Sequence, residues 1–197
     1  LLVVTADNAP NDFVYPQMAV FTFYGGIYRD VTVIGVPKTH FDLDYYGAPG
    51  VMVTPKINGA DAEVEMQAFA DGEVEFEIFD GENVISSTIA QGKNPTSSVT
   101  IKNVHLWNGT KDPFLYTLTA RLLVNGEAVD EIKTRFGCRS YEINPQKGFI
   151  LNGQEYPLRG VSRHQDRPDI GNALLPCHHK EDIDLICEMG ANTVRLA

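Results

Sequence analysis

The sequence predicts a mainly β fold in which an immunoglobulin-like β-sandwich is flanked by the end of another all-β domain and by a short βαβ unit. Three observations support this prediction. Between residues 37 and 139, strand-like runs alternate with turn residues at the short spacing of a sandwich. One helical pattern lies near the C-terminus between two short apolar runs. The first 35 residues contain too few strands to bury a core of their own.

The segment from residue 1 to residue 36 is predicted to be the edge of a sheet. It contains strand-like runs at Leu1–Val4, Phe21–Tyr24 and Ile27–Ile34, with a polar turn between the first two. Because isolated strand pairs are only marginally stable in water, we expect these strands to complete a sheet of a preceding domain.

The segment from 37 to 139 is predicted to be the sandwich, and its clearest strand is Glu73–Phe79. Val74, Phe76 and Ile78 alternate with three glutamates. This pattern is typical of an antiparallel strand with one face buried and one face in water. Seven candidate strands in about 100 residues match the size of an immunoglobulin-like domain.

Turn residues mark the predicted hairpins of the sandwich. Asp71-Gly72, Asp80-Gly81 and Asn125-Gly126 supply the positive φ angles that tight hairpin turns require. The last of these turns joins Leu115–Val124 to Glu127–Phe136, so we expect a long closing hairpin.

After Arg139 the pattern changes to a mixture of strands and one helix. The predicted elements are a hairpin at Phe149–Tyr156, a strand at Pro157–Val161, a helix at His179–Met189 ended by Gly190, and a strand at Thr193–Leu196. Strand, helix and strand form a βαβ unit, so polar groups after both strands should fall on one face of a parallel barrel.

Charge and cysteine content exclude several classes of partner. The net charge of −10 disfavours nucleic acids and anionic membranes, whereas a neutral sugar is compatible with it.

Cys138, Cys177 and Cys187 show no zinc or disulfide spacing, so we expect free cysteines that pack in the core, no metal and no evident cofactor. Leu1–Val4 has no signal-peptide features, but a removed signal stays open, as does the choice between cytoplasm and periplasm.

Four stretches resemble the glycoside hydrolase family 2 enzymes, and most closely their bacterial β-galactosidases. They are Gly25-Gly-Ile-Tyr-Arg29-Asp-Val31; Leu106-Trp107 with Pro113-Phe-Leu-Tyr116; Phe136-Gly-Cys-Arg139 with Phe149-Ile-Leu-Asn-Gly153; and Arg159-Gly-Val-Ser-Arg-His164 with Asn192-Thr-Val-Arg195. The resemblance spans nearly the whole chain in the family's order. Ser162 departs from the asparagine of many members, and Gln165-Asp166 from a more histidine-rich run, which bears on the substrate subtype.

The resemblance implies three parts. Residues 1–36 would end a jelly-roll sugar-binding domain, 37–139 would form the immunoglobulin-like sandwich, and 140–197 would begin an incomplete (β/α)8 barrel with its first βαβ. A retaining glycosidase needs two carboxylates about 5 to 5.5 Å apart. Such a barrel takes roughly 250 residues and only about 60 follow Arg139, so both carboxylates are expected beyond Ala197.

The resemblance also assigns site residues. His164 and Arg195 correspond to family residues that contact the sugar, and their positions after the predicted strands agree with that role. Arg159 and Asp166 are candidates for the rim or support of the site, a structural ion pair being the alternative for Arg159. Asp166 lies in a loop with proline and glycine, so a solvated rim acid is favoured over a general acid. The alternatives for Arg195 and His164 are an exposed strand end and a loop histidine.

Three other groups have structural interpretations that we favour over functional ones. His178-His179 resembles a metal pair, but adjacent side chains do not readily face one ion, so a surface at the helix start is favoured. Trp107 is more typical of packing than of a sugar platform. For Tyr45-Tyr46 the sequence does not decide exposure.

The resulting hypothesis is a segment of a β-galactosidase that hydrolyses terminal β-D-galactosides, itself inactive without the carboxylates. One alternative is a β-glucuronidase or β-mannosidase of the same family. Another is a non-enzymatic β-sandwich module that binds carbohydrate or protein. Homo-oligomerisation is left open by the sequence.

Overall fold

The computed structural model describes residues 1–7, 9, 11–13, 24–44 and 50–196. The chain divides into two compact units, and each is described by itself. One unit comprises Gly35–Pro157, and the other comprises Leu1–Ile34 together with Leu158–Ala197. None of the helices within the described residues has the length and hydrophobicity that crossing a bilayer requires.

The first unit contains the predicted immunoglobulin-like sandwich. Among the residues that the structure describes, this sandwich has seven strands: β1 Val51–Asn58, β2 Asp61–Ala68, β3 Asp71–Asp80, β4 Asn83–Lys93, β5 Thr96–Ile101, β6 Tyr116–Val124 and β7 Glu127–Phe136. They form a three-stranded sheet in the order β1-β2-β5 and a four-stranded sheet in the order β4-β3-β6-β7. Every pair in both sheets is antiparallel, which confirms the predicted fold class.

Alternation along the strands places the core between the two sheets. In β3, Val74, Phe76 and Ile78 are at most 1% exposed, while the glutamates between them lie on the opposite face. The other sheet contributes the buried side chains of Val64 and Met66 in β2. The negative charge predicted for a solvated face therefore lies outside this core.

The closing hairpin forms as predicted around an Asn-Gly turn. Val124 pairs with Glu127, and the two residues between them, Asn125 and Gly126, have φ angles of 54° and 80°. Two consecutive positive φ angles define a type I′ turn, whose twist matches that of the strands. A smaller sheet follows in the same unit, with strands β8 Tyr141–Asn144, β9 Gly148–Leu151 and β10 Gln154–Glu155. The sequence prediction missed β8.

In the second unit, β11 Gly160–Arg163, α1 Pro176–Glu188 and β12 Thr193–Leu196 form the predicted βαβ unit, and the two strands pair in parallel. The predicted strand start at Pro157 is wrong, because pairing begins only where Gly160 meets Thr193. The predicted helix start at His179 is also wrong. The helix begins at Pro176, where the missing N–H of proline costs nothing in the first turn.

The strands predicted at Leu1–Val4 and Ile27–Ile34 do not form. Both segments are exposed and irregular, and no described residue pairs with them in a sheet. A strand needs a hydrogen-bonded neighbour to be stable, and apolar alternation alone does not supply one. Residues 21–23 of the predicted run Phe21–Tyr24 lie outside the described residues.

The three cysteines are free, as predicted, but only Cys138 is buried. The packing prediction is wrong for Cys177 and Cys187, because no residue of α1 is buried. Burial raises the pKa of the Cys138 thiol to about 11, so almost none of it is thiolate at neutral pH.

We therefore expect iodoacetamide at about pH 8 to alkylate Cys177 and Cys187 in the folded chain and all three cysteines in denaturant. Mass spectrometry of the intact chain gives the count. A Cys138→Ala variant should give the same count with and without denaturant. Alkylation of Cys138 in the folded wild type would contradict its burial.

Candidate functional site

The two parallel strands bring His164 and Arg195 to one end of the βαβ unit. Ser162 pairs with Arg195, and Arg163 pairs with Leu196, so both strands end at the same level. His164 directly follows the end of β11 and is exposed, as is Arg195. Both residues therefore lie at the same end of the strand pair, as expected from the βαβ pattern.

Arg195 and Arg163 lie on opposite faces of the two-stranded sheet. The Nη1 of Arg195 donates a hydrogen bond of 3.4 Å to Ser162 Oγ, its partner on β11. Arg163, the next residue, points to the other face and contacts α1 through Asp182. One face is therefore covered by the helix, and the other presents Arg195 with its guanidinium exposed.

Arg159 lies at the other end of β11 from His164. Its backbone N–H donates to Asn192 Oδ1 at 2.8 Å, and its carbonyl accepts from the Asn192 N–H at 3.0 Å. Arg159 and His164 are five positions apart along an extended chain, which corresponds to about 16 Å. The structure does not bring the two together, which favours the supporting role over the rim role for Arg159.

Asp166 is exposed and lies two residues beyond His164. Its neighbour Gln165 accepts a hydrogen bond of 3.0 Å from Arg29 Nη2. Asp169 follows in the same loop with a φ of 69°, a left-handed conformation that aspartate tolerates. The rim position of Asp166 stays a prediction.

A cluster of charged residues that the sequence did not single out fixes β11 to α1. Arg163 is only 9% exposed, and its Nε donates to Asp182 Oδ2 at 2.8 Å. Arg167 Nη2 donates to the other oxygen of the same carboxylate at 2.5 Å, and its Nη1 donates to Glu181 Oε2 at 2.7 Å. The Asp182 carboxylate thus joins a strand residue and a loop residue to the helix.

The electrostatics of this cluster follow from its pairing. The guanidinium of Arg167, followed by that of Arg163, lowers the pKa of Asp182 below its usual range. Asp182, followed by Glu181, in turn raises the pKa of Arg167. The sequence did contain a signal for this cluster. Arg163 lies on the same strand face as Val161, so its charge needs an acidic partner, and the helix offers the adjacent acids Glu181 and Asp182.

The adjacent residues His178 and His179 contact different partners. His178 Nδ1 accepts a hydrogen bond of 3.1 Å from the backbone N–H of Leu175, at the start of α1. His179 Nδ1 lies 2.9 Å from Arg163 Nη2. The rings therefore do not converge on one ion, and the residues that the structure describes contain no group of three potential metal ligands.

Trp107 belongs to the packing of the sandwich unit. The guanidinium of Arg139 lies 4.8 Å from its ring centre, in cation–π geometry. The indole also lies against Gly137, where an added Cβ would be 3.0 Å from Trp107 Cβ. Since one face of the ring is covered by Arg139, a packing role is favoured. Tyr45-Tyr46 lies outside the described residues.

Comparison with known proteins agrees with this fold. The model of the family "Glycosyl hydrolases family 2" matches residues 49–139. A beta-glucuronidase of Bacteroides fragilis is 38% identical over all of this chain, which covers 30% of that protein. The chain belongs to family 2 of the glycosyl hydrolases.

Other family 2 proteins resemble the chain to different degrees. A solved FMN-binding beta-glucuronidase from F. prausnitzii L2-6 is 45% identical, with a TM-score of 0.84 over 93% of this chain and 29% of that one. A beta-galactosidase of Thermoanaerobacter pseudethanolicus is 25% identical over 99% of this chain and 27% of that protein. The chain thus spans about three tenths of the length of each of these three proteins.

Proposed function

We propose that the complete protein is a retaining family 2 glycosidase that hydrolyses β-glucuronides, and that this chain supplies part of its sugar-binding surface. The observation that supports this substrate is the identity of 38% and 45% to two beta-glucuronidases, against 25% to 34% for the beta-galactosidases that the chain resembles. The galactoside preference expected from the sequence motifs becomes the second candidate. Both candidates act on carbohydrate substrates.

In this proposal His164 and Arg195 contact the sugar. Both are exposed at the same end of a parallel strand pair, and Arg195 lies on the face that α1 does not cover. In a (β/α)8 barrel the helices surround the strands, so the uncovered face corresponds to the interior and its C-terminal end to the active site. We assign residues 140–197 to such a barrel, 37–139 to the sandwich and 1–36 to the end of a jelly roll.

The charge of Arg195 suits a uronic acid substrate. The chain carries a net charge of −10, which repels an anionic sugar at long range. A glucuronide carboxylate therefore needs a local cation, and a guanidinium is a permanent one that can donate several hydrogen bonds. A neutral galactoside has no such requirement.

The test is hydrolysis by the complete gene product of p-nitrophenyl β-D-glucuronide, β-D-galactoside and β-D-mannoside. We expect kcat/KM to be about 100-fold or more higher for the glucuronide, because a site built to bind a carboxylate is left with unpaired groups when the carboxylate is missing. The first product observed by NMR should keep the β configuration, as a retaining mechanism requires. Faster galactoside turnover would favour the second candidate, and no turnover of any of the three would favour a binding module.

A further inference from the structure

The loop that follows β11 begins with His164 and is held in place by two segments of the chain. We call residues 164–175, between β11 and α1, the β11–α1 loop. Its own backbone is closed by two hydrogen bonds between Arg167 and Gly171, of 3.1 Å and 2.9 Å. The loop is therefore ordered by specific contacts at its centre, three residues beyond His164.

Helix α1 is the first of these two segments. His164 is flanked by Arg163 on the strand and by Arg167 in the loop, and both guanidinium groups donate to the carboxylate of Asp182. Arg167 also donates to the His178 carbonyl at 3.3 Å. Because one carboxylate binds residues on both sides of His164, the chain direction at His164 is constrained by the helix.

The N-terminal segment also contacts this loop. Arg29 Nη2 donates to Gln165 Oε1 at 3.0 Å, although 136 positions separate the two residues. Tyr24 packs against Gly171 so closely that an added Cβ there would lie 2.6 Å from Tyr24 Cε1. Gly171 also has a φ of 53°, so a side chain at this position would both adopt a left-handed backbone conformation and collide with the Tyr24 ring.

We propose that Asp182 and Arg29 are positioning residues that fix the β11–α1 loop through contacts from two different segments of the chain and thereby set the orientation of His164. The consequence for activity rests on the proposed function, because the sugar contact of His164 belongs to it. A displacement of about 1 Å in a group that contacts the substrate can cost two orders of magnitude in rate. Arg29 lies in the Gly25-Gly-Ile-Tyr-Arg29 motif, so this motif would help to hold the β11–α1 loop in place.

The test compares Asp182→Asn and Arg29→Ala with a matched control, Asp184→Asn, in the complete protein. Asp184 lies on the same helix and pairs at 2.5 Å with exposed Lys180, away from the loop contacts described above. We expect both test variants to accelerate hydrogen exchange of the 164–171 amides and to lower kcat/KM for the glucuronide about 10-fold or more, mainly through kcat. The control should leave both unchanged.

The Arg29 variant keeps the test decisive if Asp182→Asn fails to fold, because Arg29 is exposed. Its effect should not add to that of Gln165→Ala, since the two share one hydrogen bond. Unchanged exchange in the 164–171 amides of Arg29→Ala would overturn the proposal. If the wild type hydrolyses no β-glycoside, the proposed function fails, whereas the exchange data still decide whether these residues hold the loop.

Discussion

Replacing Ile78 by alanine should lower the free energy of unfolding of the sandwich by about 2–5 kcal/mol. Ile78 is fully buried in β3, a central strand of the four-stranded sheet, and Leu118 lies opposite it in β6. Removing three carbons there loses their transfer free energy and leaves a cavity that packed neighbours fill only in part. Because folded domains are only marginally stable, such a loss is a large fraction of the total free energy of unfolding.

Chemical denaturation followed by circular dichroism measures this change, and Ile89→Ala is the matched control. Ile89 has the same side chain and lies on the adjacent strand β4, but it is 57% exposed. Its replacement should change the free energy of unfolding by no more than about 0.5 kcal/mol. Equal losses in the two variants would contradict the assignment of the core to the face of β3 that carries Ile78.

Replacing Arg195 by alanine in the complete protein should lower kcat/KM for its glycoside substrate by about 100-fold or more. The reason is that, in the proposed function, the exposed guanidinium at the end of β12 pairs with the glucuronide carboxylate, which is left without a local cation in the variant. Its one bond of 3.4 Å to Ser162 contributes little to folding. The loss should therefore appear in turnover while the unfolding midpoint stays close to that of the wild type.

Steady-state kinetics and thermal unfolding test this expectation together. Arg135→Ala serves as the control, because Arg135 is an exposed arginine on β7 of the sandwich unit. Arg195→Lys should recover only part of the activity, since an ammonium group lacks the planar fork of a guanidinium. Unchanged kinetics in Arg195→Ala would refute the role of this residue.

Local patterns were sufficient to predict the sandwich. The alternation at Glu73–Phe79 determines which face of β3 is buried, and the positive φ angles at Asn125 and Gly126 determine where the closing hairpin turns. Both signals depend on neighbours in sequence, so they are visible without the fold. Gly190, with a φ of 84°, marked the end of α1 for the same reason.

Features that depend on distant partners were not predictable in this way. Leu1–Val4 has the apolar character of a strand, but strand formation requires a neighbouring chain segment, which no local pattern specifies. The start of β11 depends on its register with β12, some 30 residues further along the chain, so the predicted boundary at Pro157 was in error.

The same distinction between local patterns and distant partners applies to the candidate site. The proximity of His164 and Arg195 follows from the βαβ pattern, since the carboxyl ends of parallel strands meet at one edge. The contacts of Asp182 with Arg163 and Arg167 depend instead on how α1 packs on β11. Sequence spacing does not give that orientation, which explains why the cluster was missed.

The order of strands in the four-stranded sheet has a consequence for the speed of folding. β6 and β7 are joined by a two-residue turn, so they can pair within microseconds. β3 must instead find β6, and its residue Glu73 pairs with Leu123, about 50 positions away. Closing so long a loop loses chain entropy before any contact compensates for it. Joining the two hairpins β3-β4 and β6-β7 is therefore the step that we expect to limit the rate, on the scale of milliseconds to seconds typical of all-β domains.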